Sequence, residues 1–249
     1  MRYSICITHY NDLPTVRRSL ESILAQVNEE YEVVVVDSES DDGSREILLE
    51  YAEKKAIKLI VRRCSRGRGR QIAFVNSTGR YIISNLDMDD VISPRLAELL
   101  RLYHARADGK YLRVISDNAV GYWGAAEIGI VPRELALSLG GWKDLQIAED
   151  YHLERTAAEI GRYAWTRFPI LNSVSDNGDR RRGPGWLRFN FLIFREFVRT
   201  RPSPRRMFTS AASDVARVIL AGRYRFPYRS DFRATDERYF MNFDNTPDG

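Results

Sequence analysis

Three aspartates follow an apolar stretch in the first half of the chain, in the order Asp87-Met88-Asp89-Asp90. In an extended segment, residues two positions apart face the same side, so Asp87 and Asp89 present two carboxylates to one point. Hard cations such as Mg²⁺ and Mn²⁺ prefer oxygen ligands, and Mg²⁺ often combines one or two carboxylates with substrate phosphates. A solvated acidic turn that caps the helix beginning at Ser93-Pro94 is the alternative. The position directly after a strand favours a metal site.

A fourth aspartate, Asp37, ends a run of four valines and is followed by a loop with three more acidic residues. An EF-hand calcium loop is excluded, because Gly43 falls one residue late and Leu48 occupies the position of the bidentate glutamate. Acidic side chains serve as ribose acceptors elsewhere in doubly wound sheets. We therefore expect Asp37 to accept a hydrogen bond from a nucleobase or a ribose.

A further acidic pair, Glu149-Asp150, begins a predicted helix shortly after Gly140-Gly141-Trp142. The helix dipole favours carboxylates at an N-terminus, so simple capping explains the pair. The alternative is a general base, which requires Asp150 to lie within hydrogen-bond distance of an acceptor hydroxyl. The residues alone leave both interpretations open.

The segment from Arg62 to Arg70 holds five arginines and two glycines. It lacks the Gly-Lys-Ser/Thr of a Walker loop and the spacing of a GxGxxG motif. Arginine pairs bidentately with phosphate, and glycine lets the backbone come close to it. We predict a basic loop that binds a diphosphate through Arg66, Arg68 and Arg70, with a nucleic-acid patch or a solvated loop as alternatives.

Most of these residues lie where predicted strands end. The pattern predicts strands over 3–8, 32–37, 57–61 and 81–86, and helices over 16–26, 44–55, 71–77 and from 93 onwards. This alternation predicts an α/β fold with a doubly wound, mostly parallel sheet flanked by helices. Such sheets bind ligands at the carboxyl ends of their strands. The loops after Thr8, Asp37, Val61 and Leu86 are therefore expected to form the site.

The second half of the chain is less regular. The pattern predicts strands over 111–115, 127–131 and 163–166, a helix over 148–160, a loop over 176–185 and amphipathic helices over 186–200 and 205–220. We expect two parts, an α/β domain over 1–175 and a basic, aromatic, helical C-terminal extension over 176–249.

Composition limits the class of protein. The chain has 249 residues, 44% of them hydrophobic, and two cysteines, which excludes a disordered chain, a disulfide framework and a cysteine-rich zinc module. The N-terminus lacks the apolar region of a signal peptide, and no run approaches the roughly 18 apolar residues of a membrane span. We expect a cytoplasmic protein, either free or held peripherally on the cytoplasmic face of a membrane.

Arginine is concentrated in the extension. Residues 180–233 contain 14 arginines, no lysine and three acidic residues, and aromatic side chains are interleaved with the arginines. In one interpretation the aromatic faces pack on the body and the arginines are solvated. In the other, the extension lies on an anionic membrane surface, with aromatic rings in the headgroup zone.

Five segments resemble, in order, the motifs of one enzyme family. They are Ile7-Thr8-His9-Tyr10-Asn11, the stretch from Val36 to Ser44, Arg68-Gly69-Arg70-Gln71 with Asn76 to Ile82, Leu86-Asp87-Met88-Asp89-Asp90, and Gly140-Gly141-Trp142 with Glu149-Asp150. Together they resemble family 2 glycosyltransferases with a GT-A fold, over residues 5 to about 161. Each motif is weak alone, and the order and spacing of the five make the resemblance specific.

The resemblance implies a catalytic domain over 1–175 that moves one sugar from a nucleoside-diphosphate sugar, such as a UDP- or GDP-sugar, to an acceptor hydroxyl with inversion. Thr8 and Tyr10 would frame the nucleobase, and Asp37 would bond to it. Asp87 would contact the ribose or the metal, and Asp89 would ligate Mn²⁺ or Mg²⁺ on the donor diphosphate.

On the acceptor side, the resemblance implies Asp150 as the general base, with Trp142 and Glu149 beside the acceptor. A lipid-linked or glycan acceptor is expected, and a lipid-linked one would suit an extension that binds membrane. Glu39 stands where the family has glycine, which adds an acid near the nucleotide. The QxxRW motif of processive synthases is not recognisable, so we expect single-sugar transfer.

Two other functions are compatible with some of the same residues. A metal-dependent nucleotidyltransferase would also use the acidic positions. A non-catalytic nucleic-acid-binding module would use the arginines on phosphates, but acids at the strand ends repel a polyanion, and no nucleic-acid partner is expected.

Overall fold

Strands and helices alternate through the first hundred residues, as the hydrophobic pattern predicts. The fold is known from a computed structural model, which describes residues 1–116, 127–146, 149–173 and 235–243. The strands are β1 (Tyr3–His9), β2 (Tyr31–Asp37), β3 (Lys58–Val61), β4 (Tyr81–Asp87), β5 (Asp90–Ile92), β6 (Tyr111–Ile115), β7 (Glu127–Pro132), β8 (Tyr163–Arg167) and β9 (Leu171–Ser173). The helices are α1 (Val16–Leu24), α2 (Ser44–Glu53), α3 (Arg66–Val75), α4 (Leu96–Arg106), α5 (Arg133–Ser138) and α6 (Glu149–Glu159), with a 3₁₀ turn at Glu237–Tyr239.

Seven of the described strands form one sheet in the order β3-β2-β1-β4-β7-β6-β8. The first four in that order run parallel to each other, β7 is antiparallel to β4 and β6, and β6 is parallel to β8. Strands β5 and β9 form a separate antiparallel pair. A mostly parallel sheet flanked by helices confirms the predicted fold class.

The four valines of β2 show why the sheet is covered on both faces. Val33 and Val35 pack into one hydrophobic cluster, and Val34 and Val36 pack into the other. All four are at most 3% exposed. Full burial of a valine contributes about 1.5–3 kcal/mol relative to exposure, so β2 is a strongly stabilised central strand. Its rigidity fixes the position of Asp37 at its end.

The basic segment differs from its prediction. We expected a loop as far as Arg70 and a helix from residue 71, but α3 begins at Arg66. The Ser65 hydroxyl caps this helix by accepting the backbone N–H of Arg68 at 3.1 Å. Glycine weakens a helix, yet a Cβ at Gly67 would collide with the backbone oxygen of Lys143. Close packing, and not loop flexibility, therefore explains this glycine.

Residues 235–243 pack on the edge of the sheet beside β8. The indole N–H of Trp165 donates to the Asp236 carbonyl at 2.7 Å, and the Met241 N–H donates to the Trp165 carbonyl at 2.8 Å. Phe243 is buried in the core. This part of the extension covers the edge of the sheet that β8 would otherwise leave exposed. The predicted loop over 176–185 and helices over 186–200 and 205–220 lie outside the described residues.

None of the helices in the described ranges has both the length and the apolar character that crossing a bilayer requires.

Candidate active site

The carboxyl ends of β1, β2 and β4 bring the first predicted residues together. Thr8 is paired with Asp87 across β1 and β4, and His9 is paired with Asp37 across β1 and β2. In a doubly wound sheet this edge is where ligands bind. Thr8, Asp37 and Asp87 therefore share one side of the molecule, in the arrangement that the sequence predicts.

The acidic turn after β4 places three carboxylates close to one another. Burial, together with the nearby carboxylates of Asp89 and Asp87, raises the pKa of Asp90 to about 8. Asp90 is buried at the start of β5, whereas the side chain of Asp87 is 31% exposed. Like charges in such proximity disfavour each other, so this turn is a place where a cation would be stabilised.

The donor set of this turn fits a divalent metal that arrives with a substrate. Asp87 and Asp89 offer carboxylate oxygens, the ligands that Mg²⁺ and Mn²⁺ prefer. Among the residues that the structure describes, no three acidic, histidine or cysteine side chains converge to hold an ion by themselves. Mg²⁺ sites commonly complete such a partial set with water and substrate phosphates. The residues present therefore suit a metal on a diphosphate.

Helix α3 directs two of its arginines at Asp87. Arg66 and Arg70 are four residues apart and so share one face of the helix. Nη1 of Arg66 is 3.8 Å from Oδ2 of Asp87, and Nη2 of Arg70 is 3.9 Å from Oδ1. The guanidinium of Arg66 is half exposed, and Arg68 is exposed on another face. Arg66 is thus available to an incoming anion near Asp87.

Arg70 is buried and also contacts the acidic pair at the start of α6. Its side chain is only 4% exposed. Nε of Arg70 is 3.0 Å from Oε1 of Glu149, and Nη1 is 3.2 Å from Oδ1 of Asp150. Buried charges require partners, and the three acids supply them. The observed partners of Arg70 are thus the protein's own carboxylates, and its predicted contact with a diphosphate stays a prediction.

The environment of Asp150 changes its affinity for protons. Its side chain is 15% exposed. Burial raises the pKa of Asp150 well above its usual range, the Arg70 guanidinium opposes this, and the carboxylates of Glu149, Glu127 and Glu154 raise it further. A carboxylate with a raised pKa is a stronger proton acceptor at neutral pH, as a general base requires.

The two glycines before Trp142 set the position of its ring. Gly140 and Gly141 have φ of 80° and 66°, which is left-handed backbone that favours glycine. A Cβ at Gly141 would collide with the side chain of Gln71, whose Oε1 accepts the backbone N–H of Trp142 at 2.9 Å. The indole N–H of Trp142 then donates to Oδ1 of Asp150 at 3.2 Å. Trp142 thus lies directly beside the candidate base.

The candidate nucleoside end is formed by the loops after β1 and β2. Both carboxylate oxygens of Asp37 accept from Ser40, from its hydroxyl at 2.5 Å and its backbone N–H at 3.0 Å. Asp37 is fully buried, so its predicted bond to a nucleobase or a ribose stays a prediction. Tyr10 is exposed near this loop. Glu39 has φ of 61°, so it adopts the left-handed conformation that suits the glycine of the family.

Sequence reasoning missed two polar residues of this cluster, Asn85 and Tyr111. The Arg70 guanidinium donates from Nη1 to Oδ1 of Asn85 at 2.6 Å, and Nδ2 of Asn85 donates to the Tyr111 hydroxyl at 3.1 Å. Both residues are buried. The one signal in the sequence is an asparagine inside the otherwise apolar end of a strand, which costs free energy unless its amide is hydrogen-bonded.

The fold is that of GT-A transferases. A mannosyltransferase of Pyrobaculum calidifontis, solved with GDP-Man and Mn²⁺, aligns with a TM-score of 0.62 and 22% identity over 88% of this chain and 70% of that one. Residues 1–349 of S. aureus TarS, solved with UDP-GlcNAc, align with a TM-score of 0.59 and 17% identity over 78% of this chain and 65% of that one. At sequence identities this low, the structural similarity is evidence for the fold alone.

Sequence comparison gives the family. The model of glycosyl transferase family 2 matches residues 4–173, and the chain belongs to this family. An uncharacterised glycosyltransferase of Nostoc sp. is 29% identical over 125 residues, which are 47% of this chain and 38% of the relative. The UDP-Glc:alpha-D-GlcNAc-diphosphoundecaprenol beta-1,3-glucosyltransferase of Escherichia coli is 33% identical over 90 residues, 35% of each protein. The matches thus span little more than a third of either relative.

Proposed function

We propose that this chain transfers a single sugar from a nucleoside-diphosphate sugar to an acceptor hydroxyl, with inversion at the anomeric carbon. The observation that carries the proposal is the position of Arg70, which contacts Asp87 on the donor side and both Glu149 and Asp150 on the acceptor side. The residue proposed to bind the donor and the proposed proton acceptor are therefore linked through one buried cation. Membership of glycosyl transferase family 2 supports this chemistry.

The donor would lie across the carboxyl ends of β2, β1 and β4. Thr8 and Tyr10 would frame the nucleobase, and Asp37 would accept its N–H or a ribose hydroxyl. Asp87 and Asp89 would hold Mn²⁺ or Mg²⁺, which when bound would supply positive charge against the departing nucleoside diphosphate. The half-exposed guanidinium of Arg66, close to Asp87, would add a second positive charge there.

The chain's own contribution to the reaction is orientation and proton removal. Asp150 would take the proton of the acceptor hydroxyl while that oxygen bonds to the anomeric carbon. The bond from the anomeric carbon to the diphosphate breaks at the same time, and its electron pair leaves with the diphosphate oxygen. Attack opposite to the leaving group inverts the carbon. Glu149 and the ring of Trp142, which donates to Asp150, would border the acceptor.

The donor class and the acceptor class are part of the proposal. The solved relatives with UDP-GlcNAc and GDP-Man support a UDP- or GDP-sugar, and the named Escherichia coli relative supports a lipid-linked acceptor or a glycan. An acceptor in a membrane would place the chain at the cytoplasmic face, with the arginines of residues 180–233 on anionic lipid.

A ligand screen by thermal shift tests the proposal. Ligands that bind only the folded state raise the melting temperature, so UDP- or GDP-sugars with Mn²⁺ are expected to do so. Stabilisation by nucleoside triphosphates alone would indicate a nucleotidyltransferase. Stabilisation by oligonucleotides alone would indicate a nucleic-acid-binding module, and either result would overturn the proposal.

A further inference from the structure

Strand β4 carries one extra residue immediately before the acidic turn. Ile83 pairs with Ile5 and Leu86 pairs with Ile7, so three steps along β4 match two steps along β1. Ile83 and Leu86 consequently pack into the same hydrophobic cluster, although strand residues three apart normally face opposite sides. The extra residue reverses the facing of every residue after it. Asp87 therefore faces away from the cluster that buries Leu86.

Asn85, one of the two residues between Ile83 and Leu86, has a backbone conformation that differs from that of a regular strand. Its φ of 69° lies in the left-handed region, which asparagine tolerates better than most residues. Bulges of this type recur beside active sites, where they redirect side chains. A strained residue in such a place costs free energy, so its persistence points to a role for the side chain that it presents.

The amide of Asn85 connects two buried ionic groups. Its Oδ1 accepts from Nη1 of Arg70 at 2.6 Å, the same nitrogen that lies 3.2 Å from Oδ1 of Asp150. Its Nδ2 donates to the hydroxyl of Tyr111 at 3.1 Å. The carboxylate of Glu154 is a charged neighbour of Tyr111, and its Oε1 lies 3.8 Å from Nε of Arg113. The oxygen and the nitrogen of the amide each make a hydrogen bond, one with Arg70 and one with Tyr111.

The space for this connection is kept open by a glycine on β7. A Cβ at Gly129 would come within 2.5 Å of the Tyr111 hydroxyl oxygen and within 2.9 Å of Oγ of Ser84. Any larger residue there would push Tyr111 out of the position in which Asn85 donates to it. Three strands, β4, β6 and β7, therefore cooperate to hold one amide group beside Arg70.

We propose that Asn85 is a positioning residue for the transfer reaction, whose bulge turns Asp87 towards Arg70 and whose amide holds the Arg70 guanidinium between Asp87 and Asp150. Without the amide, Nη1 of Arg70 keeps Asp150 and loses Asn85 as an acceptor, so the guanidinium is held less firmly beside the candidate base. Partners of this indirect kind are worth about 10–100-fold in activity at other sites.

The test uses Asn85→Gly, because glycine keeps the left-handed backbone and removes only the amide. Lys55→Gly is the matched control, since Lys55 is an exposed residue at φ 58°, far along the chain from the acidic turn. Hydrolysis of UDP-glucose, UDP-N-acetylglucosamine and GDP-mannose is followed with Mn²⁺. We expect Asn85→Gly to lower kcat by about 10–100-fold with a much smaller change in KM, and Lys55→Gly to match the wild type.

A second measurement does not depend on the proposed function. The ¹⁵N NMR signals of the Arg70 guanidinium, identified by their loss in Arg70→Lys, report whether its rotation is hindered. Hindered rotation in the wild type and in Lys55→Gly, with faster rotation in Asn85→Gly, supports the proposal even if none of the three sugar nucleotides is turned over. An unchanged Arg70 signal in Asn85→Gly, or a wild-type kcat in that variant, overturns it.

Discussion

The guanidinium of Arg70 on α3 lies 3.2 Å from the carboxylate of Asp150 on α6, and the same guanidinium reaches Asp87 at the end of β4. One buried cation therefore fixes the candidate base relative to the candidate donor site. Such an arrangement orients groups before a substrate arrives, which lowers the entropic cost of reaching a reactive geometry. It also makes the stability of the fold depend on the same residue.

Replacing Arg70 by methionine should destabilise the fold. The change leaves Glu149 and Asp150 without their cation in a buried place, and loss of one partner of a buried pair costs about 3–5 kcal/mol. Urea unfolding at neutral pH measures the loss in the free energy of unfolding. The loss should shrink at acidic pH, because protonated carboxyl groups no longer need the cation.

The control for that experiment is Arg17→Met. Arg17 forms an exposed ion pair with Glu50, at 3.0 Å, and such pairs contribute little. We expect no measurable change in the free energy of unfolding. If Arg70→Met were as stable as Arg17→Met at neutral pH, the ion cluster would not be a determinant of stability.

Asp150→Asn should remove the base and leave the fold intact. An asparagine at 150 still offers an oxygen to the indole N–H of Trp142, so the local packing is kept. Loss of general base catalysis typically costs about 10²–10⁴-fold in rate, and we expect that fall in kcat for sugar transfer. Glu159→Gln, an exposed change on the same helix, is expected to leave kcat unchanged. Turnover at the wild-type rate in Asp150→Asn would remove Asp150 from the mechanism.

The rate should also depend on pH through Asp150. The base acts only when it is deprotonated, and burial raises the pKa of Asp150 well above its usual range. As pH is lowered, kcat/KM should therefore begin to fall at a pH above the value of about 3.9 for an ordinary aspartate. A pH–rate profile of donor hydrolysis measures this. A rate that stays constant down to the ordinary aspartate pKa would contradict the assignment.

Glu154 gives a pH dependence of stability. Its pKa is raised from 4.5 to about 7, mainly by burial and also by the Glu127 carboxylate, against the opposing effect of the Arg113 guanidinium. At pH values between these two pKa values, Glu154 binds more protons in the folded state than in the unfolded state. Its contribution to the free energy of unfolding therefore falls as pH rises. Glu154→Gln removes the titrating group and with it this fall in stability.

Urea unfolding of Glu154→Gln and the wild type across this range checks the sign. The free energy of unfolding of the variant relative to the wild type should increase from pH 4.5 to about 7 and then level off. Glu159→Gln should show a difference that does not vary with pH. The same constant difference in Glu154→Gln would contradict the raised pKa.

Much of the fold follows from local patterns in the sequence. The valines of β2 predict a strand covered on both faces, and the acids at positions 37 and 87 each mark the end of a parallel strand. Because parallel strands end at one edge, the meeting of these acids is a consequence of the pattern. For Asp150 the strand pattern gives no such placement, and its predicted role rests on the resemblance to the family motifs.

What the sequence could not show depends on contacts between distant segments. The composition of residues 62–70 indicates a loop, but the cap at Ser65 and the close packing of Gly67 against Lys143 start a helix at Arg66. The two nearest acidic partners of Arg70 come from α6, far along the chain, so its burial has no local signature. The bulge at Asn85 depends on the register between β4 and β1, which a single strand does not encode.

The most direct test of the central claim is release of nucleoside diphosphate from UDP-glucose, UDP-N-acetylglucosamine and GDP-mannose, measured with Mn²⁺ and after chelation with EDTA. The structure predicts release from at least one of these donors, lost on chelation and in Asp89→Asn, because Asp89 belongs to the acidic turn that suits a metal on the diphosphate. Release that is unchanged by both treatments would contradict the metal assignment. No release from any of the three, together with pyrophosphate release from nucleoside triphosphates, would contradict sugar transfer itself.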